Sequence, residues 1–365
     1  MFTRNYFNFL INFFLFINLL LPKFIFAKII FFIIIFSYFF NSPKIIYKRY
    51  LIFILIYLYS ILIATLRSDI NLDILFQFIN FALILSLINP IVAYKLDIEK
   101  TILYSSLFIS FVNILLLLSS FGILDTNIFN FVLKYNSFAV GARSFDDAQA
   151  NLLAFATLGT TPIVVLAYFI SFKKMNIPLI LLFGIVILLS SSRAMILTAT
   201  FISIYFIFKN FNLFFKILFT SISLILSIQY FTTINFFSTE EFGNNTRIGH
   251  FNGFLNYINP INFFFGSGLT SSYKSDSYGI TNHTEITILD DIRYFGFPLT
   301  IIIYIIFILP SFKISLTKLF KSDHFYFFMI YLLMSLTNPI LTNSMGAIVI
   351  LWYWNVCLKK TIYEV

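Results

Sequence analysis

Seven arginines stand among seventeen lysines in this chain, and where the arginines fall is its first chemical clue. Guanidinium is a rigid, permanently charged fork that grips phosphate through paired hydrogen bonds, whereas lysine supplies a point charge. Arg143 sits in Gly141-Ala142-Arg143-Ser144, just before Asp146 and Asp147. Arg193 ends the run Ser190-Ser191-Ser192-Arg193. Arg247 lies in Asn244-Asn245-Thr246-Arg247-Ile248-Gly249-His250. These three read as a site for a phosphorylated or pyrophosphorylated ligand. Arg67 near Asp69 and Asp73, and Arg293 beside Asp290 and Asp291, read more simply as ion pairs. The segment His283-Thr284-Glu285 adds a base and a carboxylate. A helix starting near 283 sets 283, 287 and 290 on one face, so that His283 and Asp290 line one cleft.

Other chemistries find little support. There is no HExxH spacing, no Walker A loop and no serine nucleophile elbow. The carboxylate pair Asp97-Ile98-Glu99 is short and on the wrong side for a metal-held diphosphate. The lone cysteine, Cys357, excludes a disulfide within the chain and a cysteine-based metal site. It reads as a small hydrophobe facing lipid or core rather than a nucleophile. No metal and no cofactor is expected.

The elements that position these residues must be membrane helices. Of 365 residues, 60% are hydrophobic and 11% charged, with a mean hydropathy of +0.93. A soluble fold cannot hide that much apolar surface, so lipid is the solvent for much of it. A crossing helix needs roughly 17 to 25 apolar residues. The expected fold is all-α, a single polytopic membrane domain over 1–365. Twelve spans are expected: 6–21, 24–40, 51–66, 74–90, 102–121, 150–170, 177–192, 194–208, 213–231, 292–310, 325–338 and 341–357. Arg4 and the apolar run after it resemble a signal peptide, but no small-residue cleavage site follows, so the segment reads as a retained first span.

Charge sets the direction. With both termini inside, fifteen of the 24 basic residues and four acids lie on the inner side, a balance of +11 against −2 outside, consistent with the net +9. That obeys the positive-inside rule and accounts for the basic pI without nucleic acid. Two long segments then lie outside, 122–149 and the larger 232–291 between spans nine and ten. Five of the seven arginines fall outside, where topology disfavours them. The runs flanking Arg193 are short for crossing, so the turn is expected to dip and carry Arg193 into the protein, where a charge marks function.

The order of these features resembles the O-antigen polymerase and O-antigen ligase superfamily of bacterial envelope enzymes, over roughly 141–345. The matching elements are the Gly-Ala-Arg143 segment leading to Asn151, the Ser-Ser-Ser-Arg193 turn, and Arg247 opening a loop helix. They continue with Phe-Gly266-Ser-Gly268, His283-Thr-Glu285, Arg293-Tyr-Phe-Gly296, Asn338-Pro339 and Asn343. The family's tryptophan after the loop arginine is absent; Phe251 or Phe254 stands in its place. The resemblance implies a glycosyltransferase acting on glycans carried by undecaprenyl pyrophosphate at the periplasmic face of the bacterial inner membrane. In that chemistry Arg193 and Arg247, with Arg143, would stabilise the leaving pyrophosphate. His283 would be the general base, with Glu285 as the second candidate. Polymerisation of repeat units is the leading expectation; ligation of finished glycan to an acceptor is the alternative. A lipid-linked-oligosaccharide flippase is the non-enzyme alternative, but it should carry charges within its spans. Expected partners are the lipid-linked glycans, membrane lipid and a chain-length regulator protein.

Overall fold

Backbone polar groups shape the fold first, because in lipid each must find its partner within the protein. The computed structural model describes residues 3–41, 49–67, 71–120, 123, 138–141, 155–190, 192–210, 212–214, 216–218, 221, 224–225, 242–277, 279–282, 284, 286–311, 315–335 and 341–363. These are mostly helical. Three helices are long and apolar enough to cross a membrane, Arg49–Leu66, Ile74–Ala93 and Glu99–Ser119, and shorter apolar helices accompany them. The chain is an integral membrane protein. Its exposed apolar side chains, such as Ile25, Ile29, Phe32, Phe36 and Phe40, suit a lipid surround.

In chain order the helices are α1 (Arg4–Leu20), α2 (Ile25–Asn41), α3 (Arg49–Leu66), α4 (Leu72–Ser86), α5 (Ile88–Ala93) and α6 (Glu99–Ser120). A short antiparallel pair follows, β1 (Phe138–Gly141) with β2 (Phe155–Leu158). Next come α7 (Ile163–Lys173), α8 (Ile177–Leu189), α9 (Arg193–Asn210), α10 (Phe242–Tyr257) and α11 (Pro260–Phe265). A hairpin of β3 (Tyr273–Ser275) and β4 (Gly279–Thr281) precedes α12 (Thr287–Phe295), α13 (Phe297–Ile308), α14 (Leu316–Phe320), α15 (Asp323–Ser335) and α16 (Ser344–Tyr363). The chain divides into two compact units. One holds 1–4, 35–96 and 238–365; the other holds 5–34 and 97–237.

In the second of these, α6 to α9 pack as an apolar bundle. Asn113, buried within α6, accepts from Leu158 N and donates to Thr161 Oγ1, both at 3.0 Å. Thr161 in turn donates to Leu158 O at 2.6 Å. One amide thus secures the turn that starts α7. The span expected over 150–170 is extended at 155–158 instead, and its helix begins only at Ile163. Gly159 and Pro162 interrupt the run, and proline cannot donate to a preceding helical turn. Lys173 and Lys174, ending α7, pair with Glu99 at the start of α6 at 3.7 and 3.5 Å, the polarity that helix dipoles favour.

The other unit has an aromatic core. Phe53 meets Tyr57, Phe81 and Phe307, while Tyr57 meets Phe295 with ring centroids 5.2 Å apart. Helix α16 is apolar all round its middle, and Ala347 through Trp354 are fully buried there, as such a helix must be. It also closes the end of α13, whose last carbonyls have no partner in their own helix. Trp354 Nε1 donates to Phe307 O at 3.1 Å, Tyr353 OH donates to Ile308 O at 2.9 Å, and Arg49 donates to Leu309 O. Trp354→Phe keeps the packing but orphans the Phe307 carbonyl. It is expected to cost about 1–3 kcal/mol, measured as a lower midpoint of unfolding in detergent. An unchanged midpoint would show that this carbonyl finds another partner.

Candidate functional site

The described residues between 242 and 296 fold around two glycine contacts. The first joins distant motifs. Gly266, Gly268 and Gly296 all have positive φ, at 74°, 87° and 83°. A Cβ on Gly266 would lie 2.7 Å from Gly296 N, and one on Gly296 would lie 2.4 Å from Phe264 O. Only glycine allows both the conformation and the approach. Ser267 N donates to Arg293 O at 2.6 Å and Gly268 N donates to Tyr294 O at 3.2 Å. Ser60 Oγ, from α3, also reaches Tyr294 O at 2.8 Å. The Phe-Gly-Ser-Gly and Arg-Tyr-Phe-Gly stretches are therefore two halves of one backbone junction.

The second contact seats α10 on the hairpin. Gly249 and Gly253, one helical turn apart, face β3 and the turn after it. A Cβ at Gly253 would come within 2.5 Å of Lys274 O, and one at Gly249 within 1.7 Å of Ser277 Oγ. Their lack of side chains lets helix and hairpin touch backbone to backbone. Phe254, Tyr273 and Leu289 form the small apolar core beneath, joined by Tyr257, Ile258 and Ile292.

Arg293 occupies the middle of this assembly with 0% exposure. Its Nη2 pairs with Asp290 Oδ1 at 2.6 Å and donates to Asn282 O at 2.9 Å, while Nη1 donates to Ser271 O. The guanidinium lies 4.9 Å from the Tyr273 ring centroid and 4.6 Å from that of Tyr294. Asp290 Oδ2 accepts from Thr284 N at 2.8 Å. Tyr294 OH donates to Asn282 O, and the Tyr273 hydroxyl donates to His250 O at 3.3 Å, beside His250 Nδ1 at 3.2 Å. The ion pair expected for Arg293 is present, and it also clamps the loop carbonyls of residues 271 and 282.

That clamp overturns one expectation. Residues 279–281 form a strand and helix α12 starts at Thr287, so no helix begins near 283. Arg293 and Tyr294 take the carbonyl of Asn282 that a helix would need for itself. Asp290 faces Arg293 and Thr284 N, and Thr287 donates to Ser335 O at 2.8 Å. Of the expected 283–287–290 face, Thr287 and Asp290 lie on α12, and His283 lies outside the described residues.

The other expected site residues fall as follows. Arg193 is the first residue of α9 and is buried, with 6% exposure. Arg247 is half-buried on α10. The two belong to different units. Arg67, after α3, donates to Asn262 Oδ1 at 3.2 Å. Arg143, His283 and Glu285 lie outside the described residues, as do Asn151, Asn338 and Pro339 and most of 122–149. Of the two aromatics near the loop arginine, Phe254 is buried in the small core and Phe251 is exposed. Sequence reasoning missed the seat of α10 on the hairpin, although the Gly249-x-x-x-Gly253 spacing signals it.

Asp291 adds a second buried carboxyl beside the pair. Its Oδ2 accepts from Tyr304 OH at 3.0 Å. Burial pushes it from the ordinary 3.8 up to about 8; the Tyr304 bond lowers it and the Asp290 charge raises it. Arg293, Asp290 and Asp291 thus lie together, and burial favours the protonated form of Asp291.

Two outcomes are expected. Arg293→Met leaves Asp290 charged and unpaired, costing about 3–5 kcal/mol. The double variant Asp290→Asn/Arg293→Met removes both charges, so chemical unfolding in detergent should show it to be less destabilised than the single one. For Asp291, the folded chain holds a proton that the unfolded chain has lost between 3.8 and about 8. Its contribution is complete below that window and declines as pH rises through it. Asp291→Asn keeps an acceptor for Tyr304 and should flatten the fall in melting temperature between about pH 5 and 8. An identical slope in both proteins would refute this.

Compared with known protein families, curated proteins and solved structures, the chain matches none.

Proposed function

We propose that the chain is a membrane-embedded glycosyltransferase that polymerises undecaprenyl-pyrophosphate-linked repeat units. The work takes place at the periplasmic face of a bacterial inner membrane, with both termini cytoplasmic. The observation that carries the reading is Arg193, a guanidinium buried to 6% exposure at the first position of its helix, whose other charge, Lys209, lies in the last turn. A charge held there is costly and suits a ligand of opposite charge. Arg247 supports it, carried on a helix whose position is set by two glycines and the Arg293 clamp.

The acceptor hydroxyl of one lipid-linked unit attacks the anomeric carbon of another. The bond from that carbon to the pyrophosphate oxygen breaks, with inversion, and undecaprenyl pyrophosphate leaves. Arg193 is assigned to the charge that develops on the leaving oxygen, with Arg247 and Arg143 the other candidates that the resemblance implies. His283 takes the hydroxyl proton, with Glu285 as the second candidate.

The test is deletion of the gene in its host, electrophoresis of the surface polysaccharide, and complementation with wild type, Arg193→Ala, Arg247→Ala or His283→Ala. Collapse of the ladder to single anchored repeats, restored by wild type and not by the arginine variants at equal protein level, is the expected result. Long polymer left on undecaprenyl pyrophosphate, with none anchored, would make it a ligase. An unchanged ladder would reject both enzyme readings.

A further inference from the structure

Arg247 is not the only polar feature of α10. On another side of that helix an open cleft of about 310 Å³ lies where it meets the turn between β3 and β4. Its lining comes from Asn245, Thr246, Gly249 and Asn252 on the helix and from Asp276 and Ser277 on the turn. Three of the helix positions, 245, 249 and 252, follow one face at i, i+4 and i+7. Gly249 makes the floor, since any side chain there would collide with Ser277. The turn is held in place by Ser277 Oγ, which donates to Asn245 O at 3.1 Å, and by Asp276 N, which donates to Gly249 O at 3.4 Å.

The chemistry of the walls selects a ligand class. They offer two amides, two hydroxyls and one carboxylate, and no lysine or arginine lines the cleft among the described residues. A phosphate would meet the Asp276 charge with nothing to offset it. The Asn252 amide and the Asp276 carboxylate are exposed, and neither has a protein partner among the described residues. A carboxylate accepts two neighbouring hydroxyls at once, and an amide both donates and accepts. Ile248 adds an aliphatic edge for C–H groups. The volume is at the small end of the usual 300–1,000 Å³ for small-molecule sites, sized for a terminal sugar.

We infer that this cleft binds a sugar residue of the glycan, with the Asp276 carboxylate taking paired hydroxyls and the Asn252 amide fixing its orientation. This rests on the glycan reading above and deepens it: the arginines are assigned to the pyrophosphate and the cleft to the sugar.

The probe is the repeat oligosaccharide released from its lipid by mild acid, taken from cells that make the protein. Binding to the full chain in nanodiscs is followed by saturation-transfer NMR and titration. Saturable binding is expected, weakened about tenfold by Asp276→Asn, the loss expected for a hydrogen bond to a charged group. Asn252→Ala should weaken it too, and inorganic pyrophosphate should not compete. Both changes are at exposed positions, so melting temperatures should stay at the wild-type value. Wild-type affinity in both variants, absence of saturable binding, or displacement by pyrophosphate would each overturn the inference. The two proposals fail separately. A ladder that collapses on deletion beside cleft variants that bind normally sinks only the cleft. Sugar binding that needs Asp276, in a host whose ladder ignores the deletion, sinks only the polymerase.

Discussion

Arg293 carries a full charge at 0% exposure, and much of the unit around it is arranged to make that tolerable. Burying a charge costs several kcal/mol unless its partners are well placed. Here they come from everywhere at once: a carboxylate one turn back, two tyrosine rings, and the carbonyls of residues 271 and 282. The partners come from α12 itself, from residues 271–273 and from Asn282, so satisfying the guanidinium also ties down the segment between α11 and α12. The hairpin, the start of α12 and the glycine junction beneath it are consequences of one side chain needing many acceptors.

The same rule operates where no charge is involved. In a membrane bundle an unmatched carbonyl is as serious as an unmatched side chain. The end of α13 is closed by Trp354, Tyr353 and Arg49, which come from two other helices. The turn that starts α7 is closed by Asn113 from inside α6. Polar side chains in apolar helices here serve backbone at the places where helices end.

This rigidity gives the proposed chemistry its footing. Transition-state charge is stabilised best by donors that need not move when the charge appears. Arg247 rides on a helix pinned by Gly249 and Gly253 to a hairpin that Arg293 holds from below. The division of labour is also chemical. Both terminal nitrogens of Arg293 are held by the protein itself, so its work is structural, while Asn245 and Asn252 on α10 are exposed. An arginine's role therefore follows from its neighbours, and its place in a motif is not enough.

Much was legible from the chain alone. Composition made it a membrane protein, because no packing scheme hides that fraction of apolar surface from water. Apolar runs located the helices Arg49–Leu66, Ile74–Ala93 and Glu99–Ser119 closely, since the hydrocarbon thickness sets their length. The pairing of Arg293 with Asp290 followed from adjacency on a helix turn. Long-range contacts were not legible. Nothing local in Gly266 announces Gly296, and nothing in Asn282 shows that its carbonyl is taken by Arg293. That capture makes residues 279–281 a strand and delays α12 to Thr287, against the local helical pattern. Tertiary structure decided these points because a buried donor will draw its acceptors from any part of the chain, and the energy of leaving it unsatisfied exceeds the small preferences by which a sequence favours one local conformation over another.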